Sequence, residues 1–469
     1  MCAERENAQS VRPDEAADLL LRWPAHVPLA ALVSGGHDNA HNAWTILARP
    51  SDAIEIAATA SADTTRATLA EAFARVPRSN STRAAAYDPR SAHGRPPFTG
   101  GWIVALGYGL GTVFEPKAET RAPNRALSAP RAVLFWCEDA WCFEHATGAL
   151  HAVGHPPALH ATAPTTPAAW NLEALRAVET DAQYEAHAAR TIEYIRAGDA
   201  FQANIARRFE SRLSGDTRAF AHDAISRNAT WFGALLELPN GGALVSMSPE
   251  LFLRVRADGS VSTRPIKGTR PASTPAAELI ASEKDAAELA MIVDLMRNDL
   301  GRVSEIGSVN VTVGRTLETH TTVHHGVAEV RARLREDVEW LDLLAATFPP
   351  GSVTGAPKVR AMQIIDELEH HERGFYCGAI GFISRSGDCA LNVAIRTAEI
   401  GAIDGDARPV CYHAGCGIVA DSEPRAEVAE THAKAQALAQ MASAAGSLHA
   451  GNATAGAALP QLSEILAVP

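Results

Sequence analysis

Apolar residues recur at helical spacing along the segment 181–197, where Tyr184, Ile192 and Ile195 are among the apolar positions. Gly198 follows directly and is a common helix-stop residue, so the pattern predicts a helix that ends there. Similar spacing predicts further helices over 283–300, 340–346, 356–368 and 424–442. Apolar and β-branched runs predict strands over 243–247, 251–255, 260–264, 309–313, 323–330, 377–383, 390–398 and 410–419.

The first third of the chain has a different residue pattern. Short strand-like pieces, such as 132–136, are separated there by Pro, Gly, Ser and Asn clusters, which predicts a β-rich region over 1–170. The segment 155–169 is rich in Pro, Thr and Ala without apolar periodicity and indicates a long loop or linker. We expect a second region over 171–445 and, because the last residues are mostly small, a flexible tail over 446–469.

Strand runs are mixed with helices and hairpins and do not alternate strictly with helices. This order predicts an α+β fold with large antiparallel sheets flanked by helices.

Charge and cysteine content restrict the class of protein. The 469 residues carry 42 Lys and Arg against 54 Asp and Glu, a net charge of -12, which argues against a nucleic-acid partner or an anionic membrane surface. An anionic substrate would therefore need locally placed cations or a metal ion. Seven cysteines without a CxxC pair, a charged N-terminus and the absence of a long apolar run lead us to expect a cytoplasmic protein with no membrane partner.

Two pairs of acidic residues lie three positions apart on predicted helices: Asp285 with Glu288, and Glu427 with Glu430. This spacing puts each pair on one helix face, and two such faces could together hold a hard cation such as Mg²⁺. The alternative is a solvated acidic surface, which is the more common origin of such spacing. Lys434, four residues after Glu430, could equally form a simple helix ion pair with it.

Four further segments carry candidate chemistry. Lys267 follows a predicted strand and precedes Gly268, so its amine could contact an anion, act as a nucleophile if desolvated, or lie in solvent. Glu250 lies between two predicted strands and could be a general acid if burial raises its pKa, or a solvated turn residue. The segments 351–358 and 412–417 are rich in small residues and could expose backbone to a ligand.

Taken together and in order, the segments between 184 and 435 resemble the chorismate-utilising enzymes. The resemblance is carried by GDAFQANIARRF (198–209), SPELFL (248–253), TRPIKGTRP (263–271), ELAMIVDLMRNDLGRV (288–303), VHH (323–325), FPPGSVTGAPKVRAMQIIDELE (348–369), IRTAE (395–399) and AGCGIVADSEPRAEVAETHAKA (414–435). It implies sheets packed as a sandwich, a chorismate-binding catalytic domain over 171–445, and an N-terminal region 1–170 that could hold an amino-acid pocket.

The resemblance also implies roles for single residues. Glu288 and Glu430 match residues that bind Mg²⁺, with Asp285 and Glu427 close by through water, and the ion would hold the ring carboxylate of chorismate. Gln202 stands where isochorismate synthases of this family have a water-activating lysine, which argues against water as the nucleophile. The substrate contacts implied in this way are Arg396, Tyr412, Gly415, Lys434, His325, Thr354, Thr269 and Gln202.

Lys267 discriminates within the family. Aminodeoxychorismate synthases carry PIKGT at this position, whereas anthranilate synthases resemble PIAGT. The resemblance implies that the Lys267 amine attacks ring C2, that Glu250 protonates the departing C4 hydroxyl, and that ammonia then attacks C4. No cysteine lies in a G-x-C-x-G elbow, so we expect ammonia from a glutamine amidotransferase subunit.

Two other functions remain open from the sequence. They are anthranilate synthase component I, and a regulatory subunit that binds a ligand without catalysis. Ala272, Ala328 and Pro350 depart from the usual residues of the family without removing a catalytic group.

Overall fold

The computed structural model describes residues 16–35, 43–76, 78, 95–118, 129–164, 167–228, 230–319 and 323–449. The strands are β1 (Ala30–Val33), β2 (Trp44–Ile56), β3 (Gly101–Leu106), β4 (Ala132–Glu144), β5 (Ala149–Val153), β6 (Trp170–Leu172), β7 (Arg176–Ala177), β8 (Gln202–Gly215), β9 (Phe232–Glu237), β10 (Ala243–Ser248), β11 (Leu251–Val255), β12 (Ser260–Arg264), β13 (Ile266–Pro271), β14 (Asn310–Thr319), β15 (Val323–Arg333), β16 (Gly355–Ala356), β17 (Ala379–Ser384), β18 (Cys389–Val393), β19 (Thr397–Ile400) and β20 (Arg408–Ile418). The helices are α1 (Asp18–Arg22), α2 (Ala62–Ala74), α3 (Leu110–Phe114), α4 (Asp181–Arg196), α5 (Thr217–Arg227), α6 (Ala276–Ala281), α7 (Glu283–Gly301), α8 (Trp340–Thr347), α9 (Lys358–Leu368) and α10 (Pro424–His449).

These strands pair antiparallel throughout the ranges above. Neighbours follow the order β14, β15, β12, β11, β18, β17, β3, β4, β2, β1, β9, β10, β19, β20, β8. β13 lies beside β12 on the same edge of β15, β5 pairs with β4, and β6, β7 and β16 pair with β8. Because β3 pairs with β17 and β1 with β9, strands from 1–170 and from 171–445 share one hydrogen-bonded sheet.

Both faces of this sheet are covered by packed apolar side chains, because successive residues of a strand point to opposite faces. In β3, Trp102 and Val104 pack into one core cluster that also contains Trp340 of α8, whereas Ile103 and Ala105 pack into another with strands β1 and β9. Successive residues of a strand point to opposite faces, so a strand that is apolar throughout must be covered on both. The packing of the sheets as a sandwich stays a prediction.

The α+β prediction with large antiparallel sheets and flanking helices is confirmed. The predicted strands 251–255 and 260–264 are β11 and β12, and the predicted helix 283–300 is α7. The predicted strand 390–398 is wrong as a single element, because residues 394–396 separate β18 from β19. Arg396 there has a φ of 51°, a left-handed conformation that breaks an extended run.

The C-terminal helix is longer than the sequence indicates. Since α10 continues to His449, the predicted flexible tail 446–469 begins inside a helix, and its residues 450–469 lie outside the described residues. The segment 155–169 connects β5 to β6, and its described part contains no helix or strand. Of the helices in the ranges given above, none is both long and apolar enough to cross a bilayer.

A buried ion pair joins the last turns of α7 to the first turn of α9. Lys358 Nζ donates to Asp299 Oδ2 at 2.7 Å and to the Thr347 carbonyl at 2.8 Å, and the two charged side chains are only 10% and 4% exposed. Burial lowers the pKa of Lys358 and raises the pKa of Asp299, so each charge depends on the other. The pair therefore fixes the orientation of α7, the helix that carries Asp285 and Glu288.

We expect Lys358→Met to lower the free energy of unfolding by about 3 kcal/mol, because it leaves the Asp299 carboxylate buried without a partner. Urea unfolding followed by circular dichroism measures the change. Lys117→Met, at an exposed lysine, is the matched control and should change the free energy by less than about 0.5 kcal/mol. Equal stabilities of the two variants would contradict a structural role of the pair.

Candidate active site

The amine of Lys267 and the side-chain amide of Gln202 both lie close to Gly417 of β20. A methyl group placed on Gly417 would lie 2.4 Å from Gln202 Nε2 and 3.2 Å from Lys267 Nζ. Only a residue without a side chain therefore leaves room for both polar groups at this point. β20 pairs along its length with β8, which brings Gln202 to this position from a distant part of the sequence.

The side chain of Gln202 is fully buried, and neither of its amide heavy atoms has a hydrogen-bond partner among the described residues. Buried polar atoms are usually paired, so an amide in this state indicates a place where a ligand supplies the partner. The structure thus puts Gln202 in a position that suits the substrate contact implied by its motif.

The amine of Lys267 lies in an environment that weakens its charge. Burial lowers the pKa of Lys267, and the neighbouring charge of Lys434 acts in the same direction, although nearby carboxylates oppose it. An amine attacks as the neutral form, so a lowered pKa favours a nucleophilic role.

Glu250 is the second titratable group beside Lys267. It is 4% exposed, accepts hydrogen bonds from the Ser352 hydroxyl and the Ile266 amide, and is not a solvated turn residue. Burial raises the pKa of Glu250 to about 7, even though those hydrogen bonds and the charge of Lys267 act to lower it. A carboxyl group of this kind retains a proton near neutral pH and can deliver it to a leaving group.

Carboxylates of α7 and α10 face each other across a lysine. Lys284 Nζ lies 4.0 Å from Glu288 Oε1 and 3.9 Å from Glu427 Oε1. Burial raises the pKa of both carboxyl groups. One carboxylate oxygen each of Glu427 and Glu430 and the Cys416 sulfur lie within 4.8 Å of one another. The structure therefore brings Glu288, Glu427 and Glu430 to one place.

Asp285 has a different partner from the other three. Its carboxylate binds Arg270 of β13 at 2.9 Å, and its side chain packs against Gly268, where a Cβ would lie 2.9 Å from Asp285 Cγ. Gly268 has a φ of 79°, which together with this contact leaves no room for a side chain. Asp285 thus holds the part of β13 that contains Lys267 and Gly268 against its own helix, α7.

The donor set between α7 and α10 fits Mg²⁺. Carboxylate oxygens are the ligands that this hard ion prefers, and it commonly takes only one or two of them from protein. The ammonium of Lys284 already lies between two of these carboxylates, which shows that the place attracts positive charge.

Two cations near β20, Lys434 of α10 and Arg396, can receive carboxylates. Lys434 Nζ donates to the Gly415 carbonyl at 2.8 Å and to Glu430 at 2.7 Å. Burial works against the charged form, yet Cys416 and Glu430 raise the pKa of Lys434 above its ordinary value, so it remains an ammonium. Tyr412 donates to the Lys434 backbone carbonyl at 3.4 Å.

Arg396 lies beside Tyr412. Burial lowers the pKa of Arg396, and the neighbouring Tyr412 hydroxyl acts to raise it. A guanidinium in such surroundings gains from an anionic ligand, because a buried charge needs a counter-charge.

The remaining predicted contacts are fixed by backbone pairing. Thr269 and His325 stand opposite each other on β13 and β15, and Thr269 Oγ1 lies 2.8 Å from His325 Nδ1. Thr354 is fully buried and donates to the Pro350 carbonyl at 3.1 Å, while its own carbonyl accepts from the Asn204 amide. Its hydroxyl therefore orders the 350–355 turn, and its carbonyl joins this turn to β8.

Sequence reasoning missed Ser352, Gly417 and Lys284 as single residues of the site. Lys284 could have been found, since it lies four residues before Glu288 on a predicted helix. Nothing local marks Ser352 as the donor to Glu250, because the two belong to segments about a hundred residues apart in the sequence.

A separate cavity of about 720 Å³ lies among residues 25–28, 50–53, 215–218, 237–239 and 241–243. Arg218 in its wall is paired with Glu237 at 2.6 Å and donates to the Val27 carbonyl, so its charge is satisfied within the protein. An amino-acid pocket in 1–170 stays a prediction.

Comparison with known proteins gives consistent matches over most of the chain. A family model for chorismate binding enzymes matches residues 38–440. Aminodeoxychorismate synthase component 1 of Klebsiella aerogenes is 39% identical over 361 residues, which cover 73% of this chain and 77% of that protein. Anthranilate synthase component 1 of Streptomyces coelicolor is 37% identical over 382 residues, covering 74% and 73%.

A solved structure agrees with these matches. The crystal structure of anthranilate synthase component I from Streptococcus pneumoniae superposes with a TM-score of 0.69 at 27% identity, and covers 94% of this chain and 100% of that one. The sequence identity of this chain to an aminodeoxychorismate synthase and to an anthranilate synthase is therefore nearly equal, and identity alone does not distinguish between these two kinds of enzyme.

The raised pKa of Glu250 makes stability depend on pH in a direction that can be measured. Below about pH 4.5 the carboxyl is protonated in both folded and unfolded chains, but between about 4.5 and 7 only the unfolded chain releases the proton, so stability falls as pH rises. The side chain of Glu250→Gln is neutral at every pH. We expect the free energy of unfolding of this variant to rise by about 3 kcal/mol relative to that of the starting protein between about pH 4.5 and 7, and not to rise further above pH 7.

Urea unfolding of both proteins at half-unit pH steps provides the measurement. Glu399, whose pKa burial also raises to about 7, is present in both proteins and cancels in the difference. A difference that stays constant from pH 4.5 to 8 would show that Glu250 titrates alike in the folded and unfolded chains.

Proposed function

Since the chain belongs to the chorismate binding enzymes, we propose that it is an aminodeoxychorismate synthase component 1, which converts chorismate and ammonia into 4-amino-4-deoxychorismate. The reaction would serve 4-aminobenzoate and folate biosynthesis in the cytoplasm. One observation carries the choice within the family: Lys267, with a lowered pKa, lies beside Glu250, with a raised pKa. Burial thus favours the neutral amine that a nucleophile needs and the protonated carboxyl that a proton donor needs.

The first proposed step is a displacement by lysine. The neutral Lys267 amine forms a bond to ring C2, the two ring double bonds shift toward C4, and the C4–O bond breaks. Glu250 gives its proton to the departing oxygen, which leaves as water, and the Glu250 carboxylate then takes up the proton that the new C2 ammonium loses.

The second proposed step reverses the shift. Ammonia forms a bond to C4, the double bonds move back, and the bond between C2 and Lys267 breaks. The departing lysine nitrogen keeps the electron pair and takes up a proton, which balances the proton that the new C4 ammonium loses. Nitrogen then stands on the carbon that lost oxygen. The unpartnered amide of Gln202, beside the Lys267 amine, suits a contact to the ring substituents or to ammonia.

Binding of the substrate requires cations, because chorismate is a dianion and the protein is acidic. Lys434 of α10 and Arg396 supply positive charge near β20. Glu288 and Glu430 would hold Mg²⁺, with Glu427 next to them and Asp285 bound to Arg270. When bound, the ion would supply positive charge for the ring carboxylate.

Ammonia would come from a glutamine amidotransferase subunit. Relatives of this chain are named component 1, which supports a second component. The complete set of Glu250, Lys267, Glu288 and Glu430 supports an enzyme over a regulatory subunit without catalysis.

Anthranilate synthase component I is the second candidate, and the similarity to such proteins supports it. An anthranilate synthase would aminate C2 and would not need the amine of Lys267 in the ring site. Lys267, fixed beside Gly417 and Gln202, therefore favours the first function.

We expect the purified chain, given chorismate, Mg²⁺ and ammonium at alkaline pH, to form a product that an added aminodeoxychorismate lyase converts to 4-aminobenzoate. Mass spectrometry and fluorescence identify the products. Anthranilate formed without the lyase would support the second candidate and contradict the first.

We expect Lys267→Ala to lower the rate of 4-amino-4-deoxychorismate formation by about a thousandfold, because no bond to C2 can form without the amine. Lys117→Ala, at an exposed lysine, should retain the starting rate. The chain has five lysines, so peptide mapping of an ammonia-free mixture can assign a chorismate-derived mass increase to the peptide with Lys267.

That mass increase should be absent from Lys267→Ala. A variant that makes the product at nearly the starting rate would show that Lys267 is at most an electrostatic contact.

A further inference from the structure

Lys284 stands in an unusual place for a basic residue. It is the second residue of α7, after the N-cap Ser282, and a positive charge in the first turn of a helix is unfavourable because the helix dipole is positive at that end. Its ammonium is nevertheless directed to two buried carboxylates, at 4.0 Å from Glu288 on its own helix and 3.9 Å from Glu427 on α10.

Lysine is also much rarer than arginine in this chain. Only five of the 42 basic residues are lysines. Lys267 and Lys434 occupy the same site as Lys284, and Lys358 forms the buried pair with Asp299. Lysine is a compact charge on a flexible stem, whereas arginine is a rigid fork, so lysine suits a cation that can move in and out of a position.

We propose that Lys284 is the counter-cation of the metal site: its ammonium neutralises Glu288 and Glu427 in the metal-free protein, and a divalent cation displaces it on binding. The inference rests on the magnesium site of the proposed function. Lys284 then competes with the metal ion for the carboxylates of Glu288 and Glu427, so the affinity for the metal is reduced by the free energy needed to displace the ammonium.

Coulomb attraction by the carboxylates favours a divalent ion over the ammonium. Coulomb energy scales with charge over distance, so a dication about 2.1 Å from a carboxylate oxygen interacts about four times more strongly than an ammonium at 4 Å. The Lys284 side chain is 51% exposed and can turn into solvent, and half-exposed ion pairs of this kind contribute little to stability. The carboxylates are 13% and 5% exposed and stay in place.

Lys434 differs from Lys284 in its bonding. It donates both to the Gly415 carbonyl and to Glu430, so two hydrogen bonds fix its position. We therefore assign the exchange to Lys284 alone.

Calorimetric titration of the whole chain with Mg²⁺, in the absence of substrate, tests the inference. Lys284→Met, which keeps the stem and removes the charge, should bind Mg²⁺ about three- to tenfold more tightly than the starting protein at low salt. Lys284→Arg keeps the charge and should stay within about twofold of the starting protein.

A second measurement uses the unchanged protein and does not depend on the folding of a variant. Brief acetylation followed by peptide mass spectrometry reports the reactivity of each of the five lysines. Saturating Mg²⁺ should increase labelling of Lys284 several-fold while labelling of exposed Lys117 stays constant.

Equal Mg²⁺ affinity of Lys284→Met and the starting protein, or unchanged labelling of Lys284, would overturn the inference and leave the proposed function intact. Weaker binding by Lys284→Met would also overturn it, because Lys284 would then support the metal. A starting protein that takes up no Mg²⁺ would remove the metal site from the proposed function as well, while the test on Lys267 would still stand.

Discussion

The close approach of β13 to α7 is the contact on which the site depends. Gly268 permits it, because its backbone is left-handed and its missing side chain leaves space for Asp285, and the pair of Asp285 with Arg270 then locks the strand to the helix. Lys267 is the neighbour of Gly268, so this one contact decides how far the amine lies from the carboxylates of α7. The ion pair of Lys358 with Asp299 holds the other end of the same helix.

Charge balance inside the cleft follows from that arrangement. Lysines and carboxylates lie close together in the cleft, and burial acts against the charged forms of Lys267, Lys434 and Glu250. The groups with a strong partner, Lys434 and Glu430, remain charged because each stabilises the other. Lys267 and Glu250 interact less directly, and burial moves their pKa values in opposite directions, toward the neutral amine and the neutral acid. The same cleft thus contains permanent charges for binding and titratable groups for proton transfer.

The sequence predicts this molecule well where local patterns decide the outcome. The strands 251–255 and 260–264 and the helix that carries Glu288 follow from apolar spacing, and the antiparallel α+β class follows from their order. The break at Arg396 does not, because its left-handed backbone depends on neighbours such as Met247, whose amide donates to the Arg396 carbonyl at 2.9 Å. The i,i+3 spacing correctly puts Asp285 and Glu288 on one helix, but Arg270 from another segment takes Asp285 as its partner. The burial of Glu250 could not be predicted either, since its hydrogen-bond donors come from segments that meet only in the folded chain.

The unsatisfied amide of Gln202 has a consequence for selectivity. Neither Oε1 nor Nε2 has a hydrogen-bond partner among the described residues, and a bound molecule that leaves such a buried polar atom unpaired incurs a penalty of about 1–3 kcal/mol. A molecule that offers a donor and an acceptor at this point avoids the penalty, whereas a ring compound of the same shape without them incurs it. Sites of this kind discriminate strongly against the less polar analogue. The cleft should therefore reject deoxygenated ring acids far more effectively than its size alone would allow, because such a ligand would cover the Gln202 amide without supplying its partners.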